Sequence, residues 1–329
     1  KTKSSISSLL AAAALTCAAT AQAPSVQNQT PPSGGNAGGF GMVWEDVSPP
    51  TLASTSPTSI NAQPGGIQNL IVGTAFEGIC RSSNQGMSWS NNFLDFYIND
   101  FTPSWWVNDV AFRSTAPNEV VAITMSGAYW SDNHGLNWNK CSYPRPEGSF
   151  SVECNPAGTA AVAGGQSGNI WIFDWSSRTW TSEAVPGATF VTDVDFAADG
   201  WLYTASNSSP AVWTSPDLGA TWQKCGANLP GSAGKLECDP EIVGRAHVIS
   251  GGELYVTNDG PIRGSWNRTG FGLPQNEILS FIHHPTHPQV MFAGTWYDGV
   301  YVSQDYGATF RPIGTTGMTH LGVVDLTIH

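Results

Sequence analysis

The chain has 329 residues, of which 12% are charged, with 36 Gly, 22 Pro and 14 Trp. That composition suits short strands joined by tight turns and argues against a helical protein. A net charge of −12 repels phosphate backbones and argues against a nucleic-acid partner.

Lys1 and Lys3 precede an apolar run, Leu9 to Ala19, too short to span a bilayer. Ala19-Thr20-Ala21 fits a small-x-small cleavage site, so residues 1–21 read as a signal peptide and Gln22 as the mature start. Residues 22–41, rich in Pro, Gly, Ser, Asn and Gln, read as a flexible linker. No later run suits a membrane helix, so the expectation is a secreted, extracellular protein with no membrane span. The chain has no initiating Met and stops at His329 just inside a new turn, so both ends read as trimmed and the third segment, 42–329, as C-terminally truncated.

From there on the chain repeats. Ser82-Ser83-Asn84-Gln85-Gly86-Met87-Ser88-Trp89 is matched by octets at Ser131–Trp138, Ser215–Trp222 and Ser303–Phe310. Degenerate copies end at Trp180 and Trp266, and a bare strand copy stands at Trp44. The aromatic anchors at 44, 89, 138, 180, 222, 266 and 310 are spaced by 45, 49, 42, 42, 44 and 44 residues. Within an octet, Asp or Asn can bond turn amides and Gly supplies a positive φ. Before the octets, Val107–Phe112 and Val191–Phe196 alternate as inner strands. Val120–Ile123 and Met291–Gly294 read as second strands, and Ala128–Trp130 and Val300–Val302 as third strands.

These octets resemble the Asp-box, or BNR, repeat of the superfamily that includes sialidases, xyloglucanases and sortilin-like receptors. The resemblance implies an all-β fold, a β-propeller of four-stranded blades with the box between third and fourth strands. Six repeats end at Trp89 through Phe310, Trp44 adds an outer strand and Leu321–Ile328 an inner one. The two extras add up to one more incomplete blade, so seven blades are expected, with six as the alternative.

Cys141 with Cys154, and Cys225 with Cys238, stand 13 residues apart in near-copied contexts. In an exported protein this reads as two disulfides, each tying an outer strand to the next inner strand. The alternative is four buried thiols. Cys17 falls in the signal segment and Cys80 is left over. No zinc spacing occurs, and His283-His284-Pro285-Thr286-His287 reads as a turn, so no metal or cofactor is expected.

The resemblance implies that ligands meet the rim opposite the boxes, where second-to-third turns and inter-blade links lie. Two of those turns align, Thr74-Ala75-Phe76-Glu77-Gly78 and Thr295-Trp296-Tyr297-Asp298-Gly299. Glu77 and Asp298 are the candidate catalytic carboxylates, because glycoside cleavage uses a pair. Phe76, Trp296 and Tyr297 beside them, Asp100, Trp105 and Trp106 in the long link 91–106, and Tyr143 and Arg145 in the next link are the candidate substrate-binding residues. Glu277 lies in the fifth-to-sixth link. A Phe-Arg-Ile-Pro motif is absent, which disfavours sialidase. Glu77 occupies the slot of a catalytic Asp in the xyloglucan-hydrolysing enzymes, with Glu for Asp and without the neighbouring Arg. The expected function is binding or hydrolysis of a glycan or polysaccharide, as a glycoside hydrolase if enzymatic. The alternative is a non-catalytic protein-binding scaffold of sortilin or assembly-factor type.

Overall fold

A computed structural model describes residues 57–65, 69–75, 77–91, 106–142, 144–146, 148–208, 211–226, 228–260, 264–315, 318 and 320–328. The signal segment, the linker, Trp44, Phe76, Asp100, Trp105 and Tyr143 lie outside these residues.

Among the described residues the chain forms six four-stranded antiparallel sheets, each in plain chain order. The first blade comprises β1 (Pro57–Ala62), β2 (Leu70–Thr74), β3 (Ile79–Ser82) and β4 (Ser90–Asn91). The second comprises β5 (Val107–Phe112), β6 (Val120–Thr124), β7 (Gly127–Ser131) and β8 (Asn139–Lys140). The third comprises β9 (Ser149–Cys154), β10 (Ala160–Gly165), β11 (Asn169–Asp174) and β12 (Thr179–Ala184). The fourth comprises β13 (Val191–Phe196), β14 (Leu202–Ser206), β15 (Val212–Ser215) and β16 (Gln223–Lys224). The fifth comprises β17 (Ala233–Cys238), β18 (Ala246–Ser250), β19 (Glu253–Thr257) and β20 (Asn267–Arg268). The sixth comprises β21 (Ile278–His283), β22 (Met291–Thr295), β23 (Val300–Ser303) and β24 (Arg311–Pro312).

Second strands are small and apolar because both their faces press on neighbouring blades. Every residue of β2, β6, β10 and β14 is buried. Inner strands alternate instead, with apolar residues toward the inter-blade core and polar ones toward the axis. All six inner strands shift register near their first residues, as between Val107 and Asp109 or Ile278 and Ser280. Such a bulge re-aims the side chains around it.

The re-aimed side chains join blade to blade. The second residue of an inner strand donates to the first carbonyl of the next: Thr58 to Val107 O, Asn108 to Ser149 O and Thr192 to Ala233 O. The third residue accepts from the fourth amide of the next: Asp109 from Val152 (3.0 Å), Ser151 from Val194 (3.4 Å) and Asp193 from Leu236 (2.7 Å). Residues 320–328 continue this series without forming a sheet. Asp325 accepts from Ile60 N (2.9 Å) and Thr327 from Ala62 N (3.3 Å), so this segment meets the first blade in the register of an inner strand.

The expectation of seven blades is therefore corrected to six among the described residues. That expectation counts Trp44 and Leu321–Ile328 as the outer and inner strands of one incomplete blade, and Trp44 lies outside the described residues. The segment does hold an inner position, but among the described residues no second, third or fourth strand joins it there.

The expected disulfides Cys141–Cys154 and Cys225–Cys238 are also corrected, since all four are buried thiols. Cys141 N bonds Ala128 O at the start of β7, at one rim of the ring. Cys154 ends β9, five residues further along a strand that crosses the blade, roughly 16 Å at strand rise. A disulfide needs Cα atoms within about 7 Å. Spacing along the chain concealed this crossing from rim to rim.

Candidate functional site

The up-and-down strand order separates two rims. Octet turns between third and fourth strands share one rim with the first-to-second turns. Second-to-third turns share the other, the loop rim, with the inter-blade links. Each octet closes through its own side chains. Asp305, for example, accepts from Thr309 N (2.8 Å) and from Ser303 Oγ (2.7 Å), while Gly307 N donates to Ser303 Oγ (2.9 Å). Asn84, Asn133 and Asp217 hold the same bonds, so these octet side chains are absorbed by turn structure.

Glu77 and Asp298 stand on the loop rim in superposable turns. Thr74 Oγ1 donates to Gly78 O (2.9 Å) and accepts from Glu77 N (2.9 Å). Thr295 Oγ1 donates to Gly299 O (2.9 Å) and accepts from Asp298 N (3.0 Å). Gly78 and Gly299, at φ of 71° and 74°, allow the chain to leave each turn. In both turns it is the backbone amide of the acidic residue that bonds the threonine hydroxyl. These turns belong to the two blades flanking segment 320–328.

Trp296 is 37% and Tyr297 68% exposed, and their rings lie 6.3 Å apart at 32°. Trp296 N donates to Glu277 O (3.0 Å), which fixes this turn against the fifth-to-sixth link. Glu277 Oε2 is buried without a hydrogen-bond partner. Glu277 and Asp298 both face Tyr301, whose phenol is held above its ordinary range by burial first and then by these two charges. The structure therefore brings Glu277 beside Asp298, a neighbour that the sequence showed only as a link residue.

The other candidates are less forward. Arg145 is 8% exposed and lies over Gly127, its Nη1 donating to Cys141 O (3.2 Å). Trp106 is half-buried, and its carbonyl accepts from Met125 N (3.2 Å). Elsewhere on this rim, Met125, Phe150 and Phe190 are 44%, 39% and 39% exposed. Phe150 stands where Thr58, Asn108 and Thr192 carry polar links to the next blade, so it exposes an apolar ring where the pattern asks for a donor.

Below the rim runs an axial channel of about 110 Å³ lined by Asp109, Glu153, Asp195, Lys235, Glu237 and Asp325. Sequence reasoning missed it, although the alternation of the inner strands puts these residues on one face. Burial pushes Asp109 up to about 7, Glu153 to about 8 and Asp195 to about 6. Neighbouring carboxylates add to each shift, while Lys235, 3.7 Å from Asp193, opposes them. Among the described residues no group of three or more His, Cys, Asp or Glu is arranged to hold a metal, and no helix is long and apolar enough to cross a membrane. His284 and His287 pack edge to face at 4.9 Å on a turn, and His283 points away to His247.

No protein-family model and no curated protein matches the chain. Solved structures do match. A GH74 xyloglucanase from Xanthomonas campestris superposes with a TM-score of 0.64 at 16% identity, over 78% of this chain and 45% of that one. YCF48 from Cyanidioschyzon merolae gives 0.64 at 13%, over 82% and 88% of the two chains. The extracellular domain of a one-component system from B. thetaiotaomicron gives 0.64 at 14%, over 84% and 36%. The fold is a β-propeller. At these identities the likeness is one of fold, and the chain spans less than half of the xyloglucanase and of the B. thetaiotaomicron domain. Propellers matched here act on xyloglucan in one case and bind a D1 peptide in another.

Proposed function

We propose that this chain is an exported propeller of the Asp-box type that binds polysaccharide on its loop rim, at the sixth blade. The observation that carries this reading is the exposed Trp296–Tyr297 pair, two tilted rings presented together beside Asp298. Sugar rings offer apolar C–H faces that stack on such rings, and a carboxylate next to them accepts from sugar hydroxyls. The fold likeness to a GH74 xyloglucanase supports the same direction.

If the rim also cleaves, Asp298 is the first carboxylate of the pair, and Glu77 or Glu277 the second. Polysaccharide binding and reducing-sugar release, measured on wild type and on Asp298→Asn, Glu77→Gln and Glu277→Gln, separate binder from hydrolase. Binding without release assigns a lectin. Release abolished by Asp298→Asn and by one of the two glutamines assigns the hydrolase and its partner. Absence of binding to any polysaccharide ends this reading.

A second reading, protein binding, rests on Met125, Phe150 and Phe190, which expose apolar surface on the same rim. Peptide binding lost on Phe150→Ser, with polysaccharides ignored, is the result that favours it.

A further inference from the structure

The fifth and sixth blades meet at two buried histidines that the rim chemistry does not use. His247, on β18, is fully buried, and His283, at the end of β21, is 3% exposed. His247 Nδ1 lies 3.1 Å from His283 Nε2. At one end of this pair His247 Nε2 is 3.0 Å from Tyr306 O, the octet carbonyl before Gly307. At the other, His283 Nδ1 is 3.2 Å from Pro288 O, in the turn between β21 and β22. Four ring nitrogens thus form one line capped at both ends by carbonyl oxygens.

A count of hydrogens decides what this line can hold. Both carbonyls only accept, so each end needs an N–H, and the nitrogen pair in the middle needs one more. Three hydrogen bonds require three hydrogens. Two neutral imidazoles carry two, which leaves either the middle contact or one end as two facing lone pairs. One added proton completes all three bonds. A second would set two N–H groups against each other at 3.1 Å and bury two charges together. We infer that His247 and His283 form a single proton-binding site, which takes up one shared proton and excludes a second, across the joint between the fifth and sixth blades.

The surroundings fit a site that charges once. Asp239, fully buried after β17, faces His283 and favours its charged form, while Arg245, before β18, opposes it. Asp239 Oδ2 and Arg245 Nη1 lie 3.5 Å apart, so these two largely answer each other. Arg245 also lies 4.2 Å from the Tyr306 ring, and His284 and His287 pack on the turn beyond His283. Burial holds both rings below the ordinary histidine range, which places uptake on the acid side of neutrality. At the joint of the first two blades the matching octet carbonyl, His134 O, is bonded by Arg81 Nε (2.7 Å), which cannot change protonation. At the fifth-to-sixth joint that link is made instead by His247, a group that titrates.

The test is imidazole nitrogen NMR on the ¹⁵N-labelled full chain between about pH 8 and pH 5. The expected result is that the nitrogens of both rings move together through one midpoint, with about one proton gained per pair and both outer nitrogens, His247 Nε2 and His283 Nδ1, protonated in the charged form. In a His247→Gln variant, whose amide can still reach Tyr306 O and His283, the joint transition is expected to be replaced by a one-site curve for His283 at a shifted midpoint. Two separate transitions in the wild type, each gaining a whole proton, would overturn the proposal. So would rings that both stay neutral until the protein unfolds in acid. The wild-type titration decides the matter even where the variant fails to fold, and it stands apart from ligand binding at the loop rim.

Discussion

Asp325 Oδ2 accepts the amide of Ile60 at 2.9 Å across 265 residues of chain. It repeats the bond that Asp109 makes to Val152 and Asp193 makes to Leu236, so the ring closes by the device that joins its neighbouring blades. Asp325→Ala leaves the buried Ile60 amide without its acceptor. The expected cost is about 1–3 kcal/mol in urea unfolding, with a smaller loss for Asp325→Asn, which still offers a carbonyl oxygen. No loss in either variant would show that this contact does not close the ring.

The axial carboxylates set a pH dependence of defined sign. Asp109, Glu153 and Asp195 are raised to about 7, 8 and 6 in the folded chain. Unfolded carboxyls titrate near 4, so between about pH 4 and pH 8 the folded state binds more protons and stability falls as pH rises. The melting temperature is therefore expected to drop from pH 5 to pH 8. Glu153→Gln removes one crowded charge and is expected to be the more stable protein at pH 8, with a shallower slope. Lys235→Met removes the cation that answers this cluster and is expected to steepen the slope, losing about 2 kcal/mol at neutral pH after allowance for solvent in the channel.

What could be read in advance was whatever local chemistry enforces. An octet needs Ser, Asp or Asn, and Gly at fixed offsets, so its four good copies announce both the period and the rim they occupy. The turns at Thr74 and Thr295 were equally legible, because hydroxyl, carboxylate and glycine each have a place in them. Cys141 and Cys154 misled because their separation was counted along the chain, while the strand between them crosses the blade. His247 and His283, and Glu277 beside Asp298, depend on how one blade registers on the next, and a single sequence carries no signal for that.

The reduced state of the cysteines makes a direct prediction. Cys141, Cys154, Cys225 and Cys238 are buried thiols, with Cys141 and Cys225 pushed up to about 11 and about 12 by burial. They are expected to resist alkylation in the native protein and to react fully once it is unfolded without reductant. Mass spectrometry that finds Cys141 linked to Cys154 would contradict the structure.

The octet acids should be separable from ligand binding. Asp305→Ala loses the bonds from Thr309 N and Ser303 Oγ and is expected to cost about 1 kcal/mol in denaturant unfolding. Because Asp305 is on the rim opposite Trp296, ligand affinity in the folded variant is expected to stay at the wild-type value. A selective loss of affinity would place function on the wrong rim.

The proposed function puts the ligand on the loop rim of the sixth blade. Titration calorimetry with a panel of soluble polysaccharides, xyloglucan among them, tests it through the Trp296→Ala/Tyr297→Ala double variant and a Met87→Ala control on the opposite rim. The expected result is binding by the wild type, weakened about tenfold or more in the double variant and unchanged in the control. Equal affinity in the wild type and the double variant would contradict it.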